Sequence, residues 1–211
     1  MDDEMRQAAS AVVGRDGPDG FEVLVLERGT SSRFLPGYVA FPGGSIDEED
    51  EVLAERWFGS VGESRRACAV RELVEEVSLV LTADGLSQGD ALGTVDASPP
   101  GTEQLPEIAH WIAPPQVPVR FDARYYAVRA PAGLEARPDG SETAAAWWIA
   151  PGRLLQDWQE ERRRLFWPTY FTVSEIAVCD SVDALFALRI QTREPDDDEL
   201  ARLHRSTFWQ D

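Results

Sequence analysis

At 211 residues and 23.4 kDa the chain is long enough for one sizeable core, and its 43% hydrophobic and 9% aromatic content excludes a disordered protein. With 38 Asp and Glu against 20 basic residues, every one an Arg, the net charge is −18, which excludes nonspecific nucleic-acid and anionic-membrane binding as defaults. A polyanionic substrate would need placed arginines or metal cations to approach such a molecule.

The acidic start, Met1-Asp2-Asp3-Glu4, has neither the basic region nor the apolar core of a signal peptide. No apolar run approaches the ~20 residues of a membrane helix. A cytoplasmic location is expected, with Cys68 and Cys179 reduced. Residues 8–14 and 21–28 read as two strands, and the turn-rich segment from Arg15 to Gly20 makes them a hairpin. Residues 38–41 form a short strand that runs into Pro42, Gly43 and Gly44. An acidic helix over 47–58 and a stronger one over 60–77 come next. Strands follow at 106–112, 119–129 and 145–149, and Pro151 opens a helix to about Arg164. Two further helices, near 171–190 and 196–205, close the chain. Strands interleaved with helices around one core predict an α/β (α+β) sandwich in a single domain, residues 1–211.

The helix over 60–77 carries the chemistry. Val70, Leu73, Val74 and Val77 fall at i, i+3, i+4 and i+7, one apolar stripe for a core. Ser60 and Glu63 fit a capping box at its start. The other face clusters Glu72, Glu75 and Glu76, three carboxylates that repel one another by roughly 0.2–0.5 kcal/mol per exposed pair. Arg71 can pair with Glu75 at i+4, and a divalent cation would offset the rest, since hard carboxylate oxygens suit Mg²⁺ or Mn²⁺.

Glu63, Arg71-Glu72, Glu75-Glu76 and Leu79, led by Gly43-Gly44, resemble the signature of the Nudix hydrolases. That pattern is Gly, five residues, Glu, seven residues, Arg-Glu, an aliphatic, any residue, Glu-Glu, any residue, Gly, an aliphatic. Aligning Glu63 with its first Glu leaves 18 residues after Gly44, an insertion of 13 over about 45–62. Asp47 to Glu51 within it read as the polar first turn of a helix. Ser78 stands where the pattern has Gly; a positive φ there would cost about 1 kcal/mol. The segment from Arg33 to Gly44, His110 to Pro115, Arg120 to Tyr126, Glu142 with Trp147, Trp148 and Pro151, and Pro168-Thr169 resemble the branch that includes the animal peroxisomal coenzyme A diphosphatases. The Leu-Leu-Thr lead-in found in many coenzyme A-cleaving members is missing.

The resemblance implies an α/β/α sandwich with a mixed central sheet, a catalytic helix at about 60–77 and a C-terminal helical extension at about 171–211. It implies metal-dependent hydrolysis of the diphosphate linkage in a nucleoside diphosphate joined to another group, coenzyme A and acyl-coenzyme A among the candidates. Glu72, Glu75 and Glu76 would bind Mg²⁺ or Mn²⁺ with the Gly43 carbonyl, Glu63 would add to the site, and Arg71 would hold the glutamates in register. The general base is Glu72 or Glu142, and Arg28 and Arg33 are candidate phosphate contacts. Trp147 or Trp148 could stack on a base, but neighbouring strand residues face opposite ways, so at least one belongs to the core. The expected partner is a small nucleotide-diphosphate molecule, with no nucleic acid or membrane; many Nudix proteins form homodimers. The alternatives are a Nudix-fold binding module without catalysis, or a hydrolase of ADP-ribose, NADH or nucleoside triphosphates. Intact Arg71, Glu72, Glu75 and Glu76 argue against the binding module.

Overall fold

The computed structural model describes residues 5–30, 35–113 and 120–191. The chain opens with β1 (Arg6–Gly17) and β2 (Gly20–Arg28), the expected hairpin, with β1 longer at both ends and β2 starting one residue earlier. Then come β3 (Val39–Ala40), β4 (Gly43–Ser45), α1 (Glu48–Phe58), α2 (Ser64–Val77), β5 (Leu79–Thr82) and β6 (Gly85–Gln88). After α3 (Leu92–Ala97) the chain forms β7 (Glu107–Ile112), β8 (Phe121–Arg129) and β9 (Thr143–Ile149). It finishes, within the described residues, with α4 (Pro151–Gln159), α5 (Trp167–Ile176) and α6 (Val182–Ala187).

Seven strands make one mixed sheet in the order β3-β2-β1-β8-β7, with β4 on β1 and β9 on β2. The β1–β8 pair is parallel and the remaining pairs are antiparallel. Because side chains alternate along a strand, each central strand feeds two cores. Ala9, Ala11, Val13, Leu24 and Leu26 face α1 and α2, while Val12, Val23 and Val25 face α4, α5 and α6. Helices on both faces make this a three-layer α/β/α sandwich. The stripe Val70, Leu73, Val74 and Val77 is buried as its spacing requires.

Three element boundaries differ from the sequence reading. Ser60 caps a separate 3-10 turn, accepting the Gly62 N–H, so α2 starts at Ser64. The single helix expected over 171–190 is two: α5 already starts at Trp167-Pro168, and Ser181 restarts the chain by capping α6 through the Ala184 N–H. The helix from Pro151 ends at Gln159 rather than Arg164, because Arg162 and Arg163 turn back to donate to the Asp157 carbonyl. The helix expected over 196–205 lies outside the described residues. The β5–β6 hairpin, packed under α2, has no counterpart in the sequence reading.

Candidate active site

Arg71 organises the site. Its guanidinium is buried and is gripped by Asp50, with Nε donating to Oδ1 at 2.9 Å and Nη2 to Oδ2 at 3.1 Å. Nη1 donates to Glu72 at 3.0 Å and to Glu75 at 2.8 Å. The i+4 pairing with Glu75 is as the helix spacing predicts; the Asp50 grip is not. Asp47 to Glu51 form the polar first turn expected of them, yet Asp50 among them is wholly buried. It doubles as the third residue of α1's capping box, accepting the Asp47 N–H at 3.0 Å.

Asp50 also changes how the signature maps onto the chain. It follows Gly44 after five residues, the spacing at which the pattern has its first acid. Glu63, read as that acid from its distance to Arg71, instead sits at the start of α2 and pairs with Arg66. Nine residues of helix put it about 13 Å along the axis from Glu72. The extra residues therefore lie between Asp50 and Arg71, where α1 and the 3-10 turn occupy them. The Gly-five-residue spacing to an acid could have disclosed this.

Gly43 and Gly44 lie where strand β4 passes between β1 and α2. A Cβ on Gly43 would strike the Ala9 carbonyl and Ser10, and one on Gly44 would strike the Glu72 carboxylate. The Gly43 N–H donates to Glu76 Oε2 at 2.9 Å. Burial and the charge of Glu72 outweigh that bond and push the Glu76 carboxyl up to about 8. Burial, offset in part by Arg71 and reinforced by Glu75, raises Glu72 to about 7. Carboxyls so raised mark a site short of positive charge.

Arg28 and Glu142 both lie within electrostatic range of Glu76, the one lowering and the other raising its pKa. The Glu142 loop is tied down by Asp139, whose carboxylate accepts the N–H groups of Ser141, Glu142 and Thr143. The Gly29 N–H adds a bond of 2.7 Å to the Glu142 carbonyl. Arg33 lies outside the described residues. Trp147 and Trp148 do face opposite ways, but both are packing residues. Arg163 covers Trp147 at 4.6 Å, Arg15 covers Trp148 at 4.2 Å, and the Trp148 Nε1 donates to the Leu134 carbonyl. His110 bonds Asp122 at 2.6 Å, away from the glutamates. Both cysteines are free.

Among the described residues, no group of three or more His, Cys, Asp or Glu is drawn together tightly enough to hold a metal ion. Arg71 takes Glu72 and Glu75, and Gly43 takes Glu76. The donor set nonetheless suits a hard divalent cation, being carboxylate oxygens with uncompensated charge. Beside it opens a cavity of about 220 Å³, lined by Gly43, Gly44, Arg28, Tyr38, Phe166 and others, with no Asp or Glu in its wall. In a chain with 38 acids that wall is a local inversion of charge.

Residues 5–168 match the NUDIX domain. The chain belongs to the Nudix hydrolase family. A bacterial relative, the NUDIX hydrolase of Alicyclobacillus acidocaldarius, superposes with a TM-score of 0.72 at 26% identity, over 89% of this chain and 98% of that one. The NUDIX domain of Shewanella oneidensis NrtR, solved with ADP ribose, shares the fold at a TM-score of 0.55 and 14% identity, over 82% of this chain and 86% of that one. In sequence, a Caenorhabditis elegans nudix hydrolase 7 is 41% identical over 63 residues, 30% of this chain and 19% of that protein. A peroxisomal coenzyme A diphosphatase from the same animal is 36% identical over 75 residues, 36% of this chain and 27% of that protein. The chain thus matches less than a third of these two relatives' length. Nudix hydrolases generally use divalent metal cations. No helix among the described residues is long and apolar enough to cross a membrane.

Proposed function

We propose that this Nudix hydrolase cleaves the diphosphate linkage of a nucleoside diphosphate joined to another group, with Mg²⁺ or Mn²⁺ as cofactor. One observation carries the reading: Glu72 and Glu75, held by Arg71, and Glu76, held by Gly43, border a cavity whose wall holds arginine and no carboxylate. Similarity to the peroxisomal coenzyme A diphosphatase favours coenzyme A and its acyl derivatives within that class.

Glu72, Glu75, Glu76 and the Gly43 carbonyl would hold the cation. A divalent cation there neutralises phosphate oxygens and acidifies a water nucleophile. Arg71 keeps the glutamates aimed by spending its own hydrogen bonds on them, and Asp50 keeps Arg71 in place from the buried side. Arg28, on the cavity wall within electrostatic range of Glu76, would grip a phosphate bidentately. The water's proton would pass to Glu72 or to Glu142, both within electrostatic range of Glu76.

The test is a panel of coenzyme A, acyl-coenzyme A, ADP-ribose, NADH and dinucleotide polyphosphates with Mg²⁺ or Mn²⁺. Cleavage at the diphosphate is expected for at least one member, and Glu76→Gln should then lower kcat/KM at least about a hundredfold, roughly 2.7 kcal/mol. Binding of a panel member with no cleavage of any would leave a binding module in place of this reading. Near-normal turnover of the variant would overturn the metal assignment.

A further inference from the structure

The floor of the cavity is one face of the β1–β8 pair. Arg6, Ala8 and Ser10 alternate along β1, and their register partners Phe121, Ala123 and Tyr125 alternate along β8; all six line the cavity. The middle pair is Ala8 with Ala123, so the room is there because these two side chains are small. At one end Tyr125 bonds to Ser10 and Thr169, closing the floor next to Gly43, the register partner of Ser10. At the other end stands Arg6.

Arg6 differs from most of the described arginines. Ten others pair with a carboxylate: Arg15, Arg56, Arg65, Arg66, Arg71, Arg124, Arg129, Arg153, Arg162 and Arg163. Arg6, like Arg137, Arg164 and Arg189, is in no ion pair among the described residues, and of these four only Arg6 lines the cavity. Its backbone is nevertheless held, with its N–H donating to the Arg120 carbonyl at 3.0 Å. Four residues of strand separate it from Ser10, about 13 Å. Once the guanidinium has reached back along the floor, about one sugar's length is left between it and a phosphate seated by Gly43 and Arg28.

We infer that Arg6 binds a second anionic group of the substrate, a phosphomonoester carried on the ribose of the nucleotide half. This rests on the diphosphatase reading above. The diphosphate lies at the glutamate end, the ribose crosses Ala8 and Ala123, and the ribose phosphate meets Arg6, with aromatic rings of Phe121 and Phe166 in the wall beside the base. A guanidinium suits such a group because it offers two parallel donors to two phosphate oxygens.

The experiment compares pairs that differ only in that phosphate: coenzyme A with dephospho-coenzyme A, and NADPH with NADH. In the wild type the phosphorylated member of at least one pair should have the higher kcat/KM, by about tenfold to a hundredfold and mainly through KM. In Arg6→Gln that ratio should collapse towards one. Which pair responds tells a 3′ from a 2′ phosphate. An unchanged ratio in the variant, or no preference in the wild type, overturns the inference. Calorimetric binding of adenosine 3′,5′-bisphosphate, adenosine 2′,5′-bisphosphate and adenosine 5′-monophosphate separates this from the parent reading. Discrimination by the wild type that is lost in Arg6→Gln upholds the Arg6 site even if no diphosphate is cleaved. Equal affinities in the wild type sink it even if coenzyme A is cleaved.

Discussion

Asp50→Ala is the most informative single change. It removes both hydrogen bonds to Arg71, at 2.9 and 3.1 Å, and the acceptor for the Asp47 N–H, while leaving the Arg71 guanidinium buried. Breaking a buried ion pair from one side costs about 3–5 kcal/mol, because the remaining charge keeps its desolvation cost and loses its partner. Arg71 retains Glu72 and Glu75, both on Nη1, so the low end applies, about 3 kcal/mol, with the lost cap adding roughly 0.5–1. For a chain of this size that lowers Tm by about 10 °C, measured by calorimetry and urea titration. A double-mutant cycle with Arg71→Met isolates the pair. The double variant should be markedly more stable than the two single losses added together, since removing both charges leaves neither one stranded. Asp50→Asn, which keeps the shape and loses the charge, should fall between. A loss below about 1 kcal/mol for Asp50→Ala, or additive single effects, would refute the reasoning.

Two further outcomes are expected. A carboxyl whose pKa is higher folded than unfolded takes up protons on folding, so Glu72 at about 7 and Glu76 at about 8 make the metal-free protein lose stability as pH rises from about 4.5 to about 8. Melting curves in EDTA across that range should show the fall, Mn²⁺ should stabilise more at the alkaline end, and Glu76→Gln should flatten the slope; an identical slope in that variant would count against the assignment. Ser78 closes α2 at a φ of 53°, in the left-handed region, with its N–H on the Leu73 and Val74 carbonyls. Ser78→Gly should therefore gain about 1 kcal/mol, a rise of roughly 2–4 °C in Tm, and a lower Tm would show that the serine side chain compensates.

Much of the fold and site was legible because it is local. The period of Val70, Leu73, Val74 and Val77 determined which face of α2 is buried, and the i+4 spacing determined that Arg71 meets Glu75. The turn chemistry between Gly17 and Gly20 determined the first hairpin. That Glu72, Glu75 and Glu76 share one side of α2 follows from three- and four-residue spacing alone, and so does their need for countercharge.

Tertiary structure decided what depends on contacts between distant segments. Asp47 to Glu51 are five acids in a row with nothing local to separate them; only the approach of α1 to α2 buries Asp50 and leaves its neighbours in water. Glu63 was the nearest acid before Arg71 in sequence, yet a helix is rigid, and nine residues from Glu72, Glu63 can reach only its own end. Arg6 and Arg28 sit at the ends of two strands, and only the sheet puts both on one cavity wall from which every carboxylate is excluded. The sequence alone thus determined an acidic helix that calls for cations. Where in so negative a molecule an anion can enter was decided by packing, because a net charge is a sum over the whole chain and a binding wall is not.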